Sequence, residues 1–264
     1  MIKYIASDLD GTILQNGAQT LNPEIFDLIL QLKEKGVLFI AASGRPYPNL
    51  RKLFEPVKDD ISYAAENGSL CVHEGKILST GRIDRDLGLR IIKASREIPG
   101  CNCMVSCVEH LYTDSREERF LSHIKNVVRF DTVIIDDLCK VPYPFIKMAV
   151  CDFDGTGETE PFLRDMFGSE IAVVTSGNLW VDFIAPNANK GTALRDIVEY
   201  MGFDRADGIA FGDQYNDIEM LEYAGTGYAM TNCAAGVEKY AEKMTDSVEE
   251  VMRKVLKQLE EAGK

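Results

Sequence analysis

The sequence predicts an α/β protein built on a doubly wound, mostly parallel sheet with an inserted α+β domain. Three observations support this fold class. Apolar, strand-like segments alternate with amphipathic helices in residues 1–81 and again in residues 186–264. Polar, glycine-containing segments follow the strands, as at the ligand-binding edge of open α/β sheets. In residues 82–185 the pattern changes to hairpins with helices on one side. We therefore expect a split core domain and one insert with these boundaries.

The first half of the core begins with a buried strand that runs from Tyr4 into Asp8. A helix is predicted next, with Asn22 as N-cap, Pro23 at its first position and Gly36 as its stop. The apolar positions of this helix are Ile25, Leu28, Ile29 and Leu32. Strands are then predicted at Val37–Ala42 and Ile61–Ala65. Strand, helix and strand in this order form a βαβ unit with parallel pairing, so the core sheet is expected to be Rossmann-like.

The insert and the second half of the core contain further periodic segments. The insert has predicted helices at residues 82–98, 115–127 and 158–167, and predicted strands at 101–108, 110–113, 144–150, 171–175 and 179–184. After Asn187, helices are predicted at 191–201 and 216–223, and strands at 208–211 and 225–230. The return of alternating strands and helices indicates that the chain re-enters the core sheet.

Composition excludes several classes of partner. The formal net charge is −13, with 42 acidic and 29 basic residues and no basic tract, so neither nucleic acid nor an anionic membrane surface is expected to bind. The apolar stretches are of strand length, and Met1 lies directly before the first strand, so we expect no membrane span and no signal peptide. Seven scattered cysteines indicate reduced thiols in a cytoplasmic protein. A monomer or a small homo-oligomer is expected.

Three cysteines lie close together in the insert, at Cys101, Cys103 and Cys107, with His110 nearby. A structural zinc site would need paired Cys-x-x-Cys spacing, which these residues lack. Alternating positions instead predict that these thiols share one face of a strand.

Polar residues that can carry chemistry follow several of the core strands. Asp8 and Asp10 are followed by Gly11, where the chain can leave the strand and direct the two carboxylates to different sides of one small space. Ser43 can donate a hydrogen bond to a phosphoryl oxygen, and Gly44 lets the backbone approach it. Further along the chain, Lys190 precedes a helix, and the run after the strand at 208–211 carries Asp213, Asn216 and Asp217. Clustered oxygen ligands of this kind suit Mg²⁺ better than zinc.

Taken together and in this order, these residues resemble the motif set of the haloacid dehalogenase-like (HAD) superfamily. The chain is most similar to the Cof-type sugar-phosphatase branch, in which an α+β cap is inserted into the core. The resemblance covers nearly the whole length. The matching segments are Asp8-Leu-Asp-Gly-Thr12, Ser43-Gly-Arg45, Glu66-Asn-Gly68, Lys190-Gly191 and Gly212-Asp-Gln-Tyr-Asn-Asp217.

The resemblance implies a Mg²⁺-dependent phosphatase that acts on a small phosphorylated metabolite, with a sugar phosphate as the first expectation and others, such as pyridoxal phosphate, open. Asp8 is the implied nucleophile that forms an aspartyl phosphate, and Asp10 the implied acid and base. Ser43 and Lys190 would stabilise the phosphoryl oxygens. The implied metal residues are Asp8, Asp10 through its backbone carbonyl, Asp213 and Asp217. Asn216 and Asp217 are expected to orient Lys190 or a water molecule at the metal. The substrate-binding candidates are Gly44, Arg45, Glu66, Asn67 and Asn216.

A second copy of the opening motif occurs at Asp152-Phe-Asp-Gly-Thr156. It lies inside the insert, whereas the other motifs flank the insert and follow Asp8 in the family's order. Gly157 and the acidic residues after it indicate a loop and a helix start. We therefore expect Asp152 to be a turn residue of the cap and Asp8 to be the nucleophile.

Two other functions remain open at this stage. A phosphotransferase or phosphomutase would use the same aspartyl phosphate but pass the group to a second sugar. A non-catalytic sensor would bind a phosphorylated ligand without hydrolysing it, although a pure binder has no need of a nucleophile at Asp8.

Overall fold

The core unit is built on an eight-stranded, mostly parallel sheet. The structure is a computed structural model that describes residues 1–262. It separates into two units. The core unit comprises residues 1–45, 50–79 and 189 onward, and the cap unit comprises residues 46–49 and 80–188. The strands of the core sheet are β1 (Tyr4–Ser7), β2 (Leu38–Ala42), β3 (Ser62–Ala65), β4 (Leu70–His73), β5 (Lys76–Thr80), β12 (Gly208–Gly212), β13 (Thr226–Met230) and β14 (Lys243–Thr245). Their order is β14-β13-β12-β1-β2-β3-β4-β5, and all pairs from β14 to β3 are parallel.

The core unit contains the helices α1 (Pro23–Glu34), α6 (Lys190–Tyr200), α7 (Ile218–Tyr223) and α8 (Val248–Ala262). Helix α2 (Tyr47–Leu53) begins in the residues 46–49 of the cap unit and ends in the core unit. The predicted start of α1 is confirmed, because the Asn22 side chain accepts a hydrogen bond from the Glu24 backbone and Pro23 is the first helical residue. The four apolar positions predicted for α1 are buried, which anchors the helix against the sheet.

A hairpin formed by β4 and β5 was not predicted. Its turn consists of Glu74, with φ 47°, and Gly75, with φ 75°, so both residues are left-handed as in the tight turns that join antiparallel strands. Strand β4 pairs antiparallel with β3 and ends the parallel part of the sheet. The polar pair Glu74-Gly75 between two short apolar runs was the sequence signal for this hairpin.

The cap unit contains a six-stranded, mostly antiparallel sheet with three helices. The helices are α3 (Arg85–Arg96), α4 (Glu118–Ser122) and α5 (Thr156–Phe167). The strands are β6 (Cys101–Ser106), β7 (Leu111–Thr113), β8 (Thr132–Ile134), β9 (Lys147–Asp152), β10 (Ala172–Ser176) and β11 (Trp180–Ile184). Their order is β10-β11-β9-β6-β7-β8, and β7 with β8 is the parallel pair.

The expectation that the cap helices lie on one side of the sheet is wrong. Helices α3 and α5 pack with Cys103, Val105 and Val150, whereas α4 packs with Met104 and Cys151. Because neighbouring residues of a strand point to opposite faces, α4 covers the other face of the sheet. Met104 of β6 and Cys151 of β9 are buried on this second face for this reason.

The predicted helix at 115–127 is shorter and less regular than expected. The Ser115 hydroxyl accepts a hydrogen bond from the Glu117 backbone, which satisfies that donor in a local turn, and α4 begins only at Glu118. From His123 to Val128 the chain continues as a π-helical segment. Arg129, with φ 56°, ends this segment.

The cysteine residues of β6 are arranged as predicted. Cys101 and Cys103 lie on the face of the strand that packs with α3 and α5, and burial raises the pKa of the Cys103 thiol to about 12. Such a thiol stays protonated near neutral pH and is a poor metal ligand. Among residues 1–262, no helix is long and apolar enough to cross a membrane.

Candidate active site

The candidate site lies at the carboxyl edge of the core sheet. Strands β12, β1, β2 and β3 are neighbours and all run parallel, so their carboxyl ends meet at the same edge. Asp213, Asp8, Ser43 and Glu66 each follow one of these strands. All four side chains are buried, at 5% exposed or less. Four neighbouring parallel strands thus end in buried polar residues at one edge of the sheet, which is where ligand sites of open α/β sheets lie.

Lys190 supplies a buried positive charge beside the Asp8 carboxylate. It begins α6, and its side chain is 1% exposed. Its Nζ donates to Asp8 Oδ1 and to Asp217 Oδ1, each at 2.6 Å. The other oxygen of Asp217, Oδ2, accepts from the backbone N–H groups of Asp213 and Gln214, each at 2.9 Å. Asp217 therefore holds both the ammonium group and the loop after β12, and it directs Lys190 at Asp8.

Three buried carboxylates lie together at this point. Oxygens of Asp8, Asp213 and Asp217 all lie within 4.8 Å of one another. With Lys190 as counter-charge, the ionised group keeps an excess of two negative charges. Burial raises the pKa of Asp8 well above its ordinary value; the Lys190 ammonium opposes this rise, and the carboxylate of Asp217 adds to it. A divalent cation would balance this excess charge, and carboxylate oxygens are the ligands that hard cations prefer, so the donor set fits such an ion.

Lys190 itself stays charged in these surroundings. Burial acts to lower its pKa, but the carboxylates of Asp217 and Asp8 outweigh that effect and the pKa is raised. Burial also raises the pKa of Asp213, against hydrogen bonds from Thr12 and Gln214 that lower it. The ammonium is thus a fixed positive charge beside one oxygen of Asp8.

Two residues that support the site were missed by sequence reasoning. Thr12 Oγ1 donates to Asp213 Oδ1 at 2.8 Å, and Asn232 Nδ2 donates to the backbone oxygen of Gly11 at 2.9 Å. Gly11 has φ 92°, and a Cβ there would lie 2.2 Å from Asp213 Oδ2. Glycine is therefore required at position 11, where the loop after β1 passes the carboxylate of Asp213. Thr12 belongs to the opening motif and was within reach of prediction, whereas nothing in the sequence around Asn232 indicated its role.

Asp10 lies in surroundings quite unlike those of Asp8. Its side chain is 55% exposed and accepts two hydrogen bonds from Arg45, one from Nε at 2.8 Å and one from Nη2 at 2.6 Å. Asp8 is buried and bound by Lys190 instead. Two carboxylates of one motif are thus paired with different cations and differ in access to water, which is how neighbouring acids take different roles in one site.

Ser43, Gly44, Asn67 and Asn216 are brought together around the end of β3. The Asn67 backbone N–H donates to the Ser43 oxygen at 3.0 Å, and Ser43 Oγ accepts from the Arg45 backbone at 3.1 Å. Asn216 Nδ2 donates to Asn67 Oδ1 at 3.0 Å. A Cβ on Gly44 would lie 3.0 Å from the same Asn67 oxygen. Of the predicted substrate-binding residues, Asn67 and Asn216 therefore contact each other.

The second copy of the motif is engaged in local hydrogen bonds within the cap unit. Asp152 ends β9, its Oδ1 accepts from the Asp154 backbone at 2.9 Å, and its Oδ2 accepts from the Thr159 hydroxyl in the first turns of α5. Gly155, with φ 100°, immediately precedes that helix. In the described part of the chain, Asp152 belongs to no group of three clustered metal-binding side chains, unlike Asp8. These contacts are those of a turn that starts a helix.

Comparison with known proteins covers nearly the whole chain. The sequence model of one protein family, described as haloacid dehalogenase-like hydrolase, matches residues 5–255. The 5-amino-6-(5-phospho-D-ribitylamino)uracil phosphatase YbjI of Escherichia coli is 29% identical over 263 residues, 97% of each chain. The phosphatase of the same name, YitU, from Bacillus subtilis is 28% identical over 93% of each chain. A solved structure of the HAD subclass IIB sugar phosphatase BT4131 superposes with a TM-score of 0.79 at 19% identity, covering 96% of this chain and 98% of that one, and shows the same fold.

Proposed function

Because the chain belongs to the haloacid dehalogenase-like hydrolases and is a phosphoric monoester hydrolase, we propose that it hydrolyses a small phosphorylated metabolite through a phosphoryl intermediate on Asp8. The observation that carries this proposal is the pairing of Lys190 Nζ with Asp8 Oδ1 at 2.6 Å inside a buried cluster of carboxylates. A buried carboxylate oriented by a fixed ammonium is suited to attack phosphorus, which splits one difficult displacement into two easier ones.

The first step transfers the phosphoryl group to the enzyme. An Asp8 oxygen forms a bond to phosphorus as the bond from phosphorus to the ester oxygen breaks, and Asp10 gives a proton to the departing alkoxide. In the second step Asp10 takes a proton from water, the water oxygen bonds to phosphorus, and the Asp8–phosphorus bond breaks to release phosphate. The exposed position of Asp10 supports this role because leaving group and water must both reach it.

Arg45 links this proton transfer to substrate binding. Its guanidinium holds both oxygens of Asp10, and at least one of these bonds must break before Asp10 carries a proton there. Phosphoryl oxygens are competing acceptors for the same planar fork of donors. In the proposal Arg45 turns toward the bound phosphate, and Asp10 becomes available as an acid. Ser43 and Lys190 stabilise the remaining phosphoryl oxygens, and loss of either is expected to lower kcat by about 10²–10³-fold.

A Mg²⁺ ion is proposed at the carboxylates. Asp8, Asp213 and the backbone carbonyl of Asp10 would hold it, and when bound it supplies positive charge that offsets repulsion between an anionic nucleophile and an anionic phosphate ester. Asp217 was predicted as a further ligand. Both of its oxygens are engaged by Lys190 and by backbone N–H groups, so in the proposal it contributes charge and holds Lys190.

The proposed substrate carries a phosphate ester on a sugar or a sugar-alcohol chain. Support comes from two relatives that are named as phosphatases of a phosphoribitylamino-uracil, together with a fold neighbour named as a sugar phosphatase. In the named uracil derivative the phosphate is carried on a ribityl group, which is a polyhydroxylated carbon chain. We also propose a cytoplasmic location, which is supported by the seven cysteines because none of them forms a disulfide bond.

Phosphate release from a panel of esters tests the proposal. The panel contains sugar phosphates, ribitol 5-phosphate, a phosphoribitylamino-uracil, pyridoxal phosphate and p-nitrophenyl phosphate, each with Mg²⁺ or with EDTA. Wild type and Asp152→Asn are expected to release phosphate with Mg²⁺ and not with EDTA, and Asp8→Asn is expected to be inactive. Loss of activity in Asp152→Asn alone would overturn the assignment of the nucleophile. Transfer to an added sugar without release to water would indicate a phosphotransferase, and binding without hydrolysis of any ester would indicate a sensor.

A further inference from the structure

The turn after β3 has an unusual backbone that the reaction does not explain. Glu66, Asn67 and Gly68 have φ values of 53°, 56° and 88°, so three consecutive residues are left-handed. For L-residues such as glutamate this conformation is energetically unfavourable, and it persists only where surrounding contacts hold it. The turn is also buried, with Glu66 2% and Asn67 5% exposed. Strain of this kind concentrates at functional positions.

The backbone of the turn is bound to the loop after β2. The Glu66 N–H donates to the Arg45 oxygen at 3.1 Å, and the Asn67 N–H donates to the Ser43 oxygen at 3.0 Å. Because the turn is left-handed, two successive N–H groups point to the same neighbouring loop. An extended strand cannot do this, since its successive N–H groups point in opposite directions. This turn therefore holds the loop that contains Ser43 and Arg45.

The same turn touches the start of α6. A Cβ on Gly68 would lie 2.1 Å from the backbone oxygen of Asn189 and 3.1 Å from the backbone nitrogen of Lys190. Real side chains do not come so close to a backbone oxygen, so only glycine allows this approach. The position of the Lys190 backbone is thus set partly by the turn.

The Asn67 side chain completes the connection on the third side. Its Oδ1 accepts a hydrogen bond from Asn216 Nδ2 at 3.0 Å, and Asn216 is followed directly by Asp217, which holds Lys190. Asparagine combines two properties that are needed here, since it tolerates the left-handed conformation and carries a side-chain acceptor. Glycine would supply only the first of these.

From these contacts we infer that Asn67 is a positioning residue that joins the loop carrying Ser43 to the segment carrying Asn216 and Asp217. This inference rests on the proposed function, since it concerns the same reaction. Its acceptor oxygen is occupied by Asn216, and its backbone by Ser43. Asn67 therefore acts on the reaction through the alignment of Lys190 and Ser43.

Asn67→Gly separates the side chain from the backbone, because glycine keeps the left-handed conformation. Loss of the partly buried hydrogen bond between Asn216 and Asn67 is expected to lower kcat by about tenfold. We expect KM to stay within about twofold of wild type, as for an interaction that affects only the transition state. Asn16→Gly is the matched control, since Asn16 is an exposed left-handed asparagine, with φ 54°, in the same unit; its kcat and KM should equal those of wild type.

A double-mutant cycle tests whether Asn67 acts through its hydrogen bond with Asn216. Asn216→Ala removes the donor from an exposed position, so it is expected to fold even if Asn67→Gly unfolds, and it should also lose about tenfold in kcat. The double variant should lose no more than either single variant, because both remove the same hydrogen bond. A rise in KM at unchanged kcat in Asn67→Gly, or an Asn216→Ala variant with wild-type kcat, would overturn the inference, as would losses that multiply in the double variant.

Failure of this inference can be told apart from failure of the proposed function. Wild-type hydrolysis of p-nitrophenyl phosphate with Mg²⁺ is measured first, and no hydrolysis there or on the ester panel refutes the proposed function. Hydrolysis by wild type that is unchanged in Asn67→Gly and Asn216→Ala refutes the positioning role alone. Melting curves of each variant show whether a lost rate reflects lost folding.

Discussion

Replacing Lys190 by methionine tests the electrostatic account of the site. Methionine has a similar length but no charge, so the change leaves Asp8 and Asp217 buried without the ammonium that each contacts at 2.6 Å. Removing one partner of a buried ion pair costs about 3–5 kcal/mol, because the remaining charge stays desolvated and unpaired. We expect the free energy of unfolding near neutral pH to fall by about that amount.

The deficit of Lys190→Met should depend on pH with a definite sign. In wild type the raised pKa of Lys190 means that its contribution is fully present below the ordinary lysine pKa and is lost only as pH rises through the raised value. In the variant the pKa of Asp8, already raised by burial, rises further. The folded variant then binds protons more tightly than the unfolded chain, so its deficit shrinks as pH falls from about 8 to about 5.

Urea unfolding followed by far-ultraviolet circular dichroism measures this effect. Tryptophan fluorescence is unsuitable, because the one tryptophan, Trp180, lies in β11 of the cap unit, whereas Lys190 lies in the core unit. Lys33→Met is the matched control, since Lys33 pairs with Asp60 at the same 2.6 Å but is 50% exposed. Its effect should stay below about 1 kcal/mol. A deficit in Lys190→Met no larger than that of the control, or one that does not change with pH, would refute the reasoning.

Two further predictions concern neighbouring contacts. Thr12→Val removes the hydrogen bond to Asp213 Oδ1, and the Mg²⁺ concentration for half-maximal phosphate release should rise about 10–100-fold while kcat at saturating Mg²⁺ is kept; an unchanged Mg²⁺ dependence speaks against Asp213 as a ligand. Gly191→Ala places a Cβ 2.6 Å from the backbone oxygen of Glu219 and should destabilise the protein by about 1–3 kcal/mol in urea unfolding. Gly157→Ala, where nothing lies within 4 Å, should instead be neutral or stabilising by up to about 1 kcal/mol; equal effects of the two would contradict the packing argument.

Much of the fold and of the site could be predicted because the signals are local. The start and the end of α1 are predicted by Asn22 and Gly36, which lie beside the helix in the sequence. Polar residues at the ends of apolar runs predict the carboxyl edge of a parallel sheet without any knowledge of the strand order. Asp8, Ser43 and Asp213 were predicted as site residues in this way. Lys190 was predicted from its place before a helix.

The contacts that sequence reasoning missed join residues far apart in the chain. Thr12 and Asp213 are 201 positions apart, and Asn232 is 221 positions from Gly11. No local pattern reports such pairs, because they depend on which loops the strand order places side by side. The pairing of Arg45 with Asp10 was missed for the same reason, although both residues were candidates. In the cap unit, the prediction that the helices lie on one side of the sheet was wrong, because the sequence of β6 does not show which element covers each of its faces.

Trapping of the phosphoryl intermediate tests the central claim most directly. Borohydride reduces an acyl phosphate, so adding tritiated borohydride during turnover converts a phosphorylated aspartate into labelled homoserine, which peptide mass spectrometry locates in the chain. The account predicts label at Asp8, dependent on both substrate and Mg²⁺. Label at Asp152, or continued phosphate release with no label at Asp8, would contradict it.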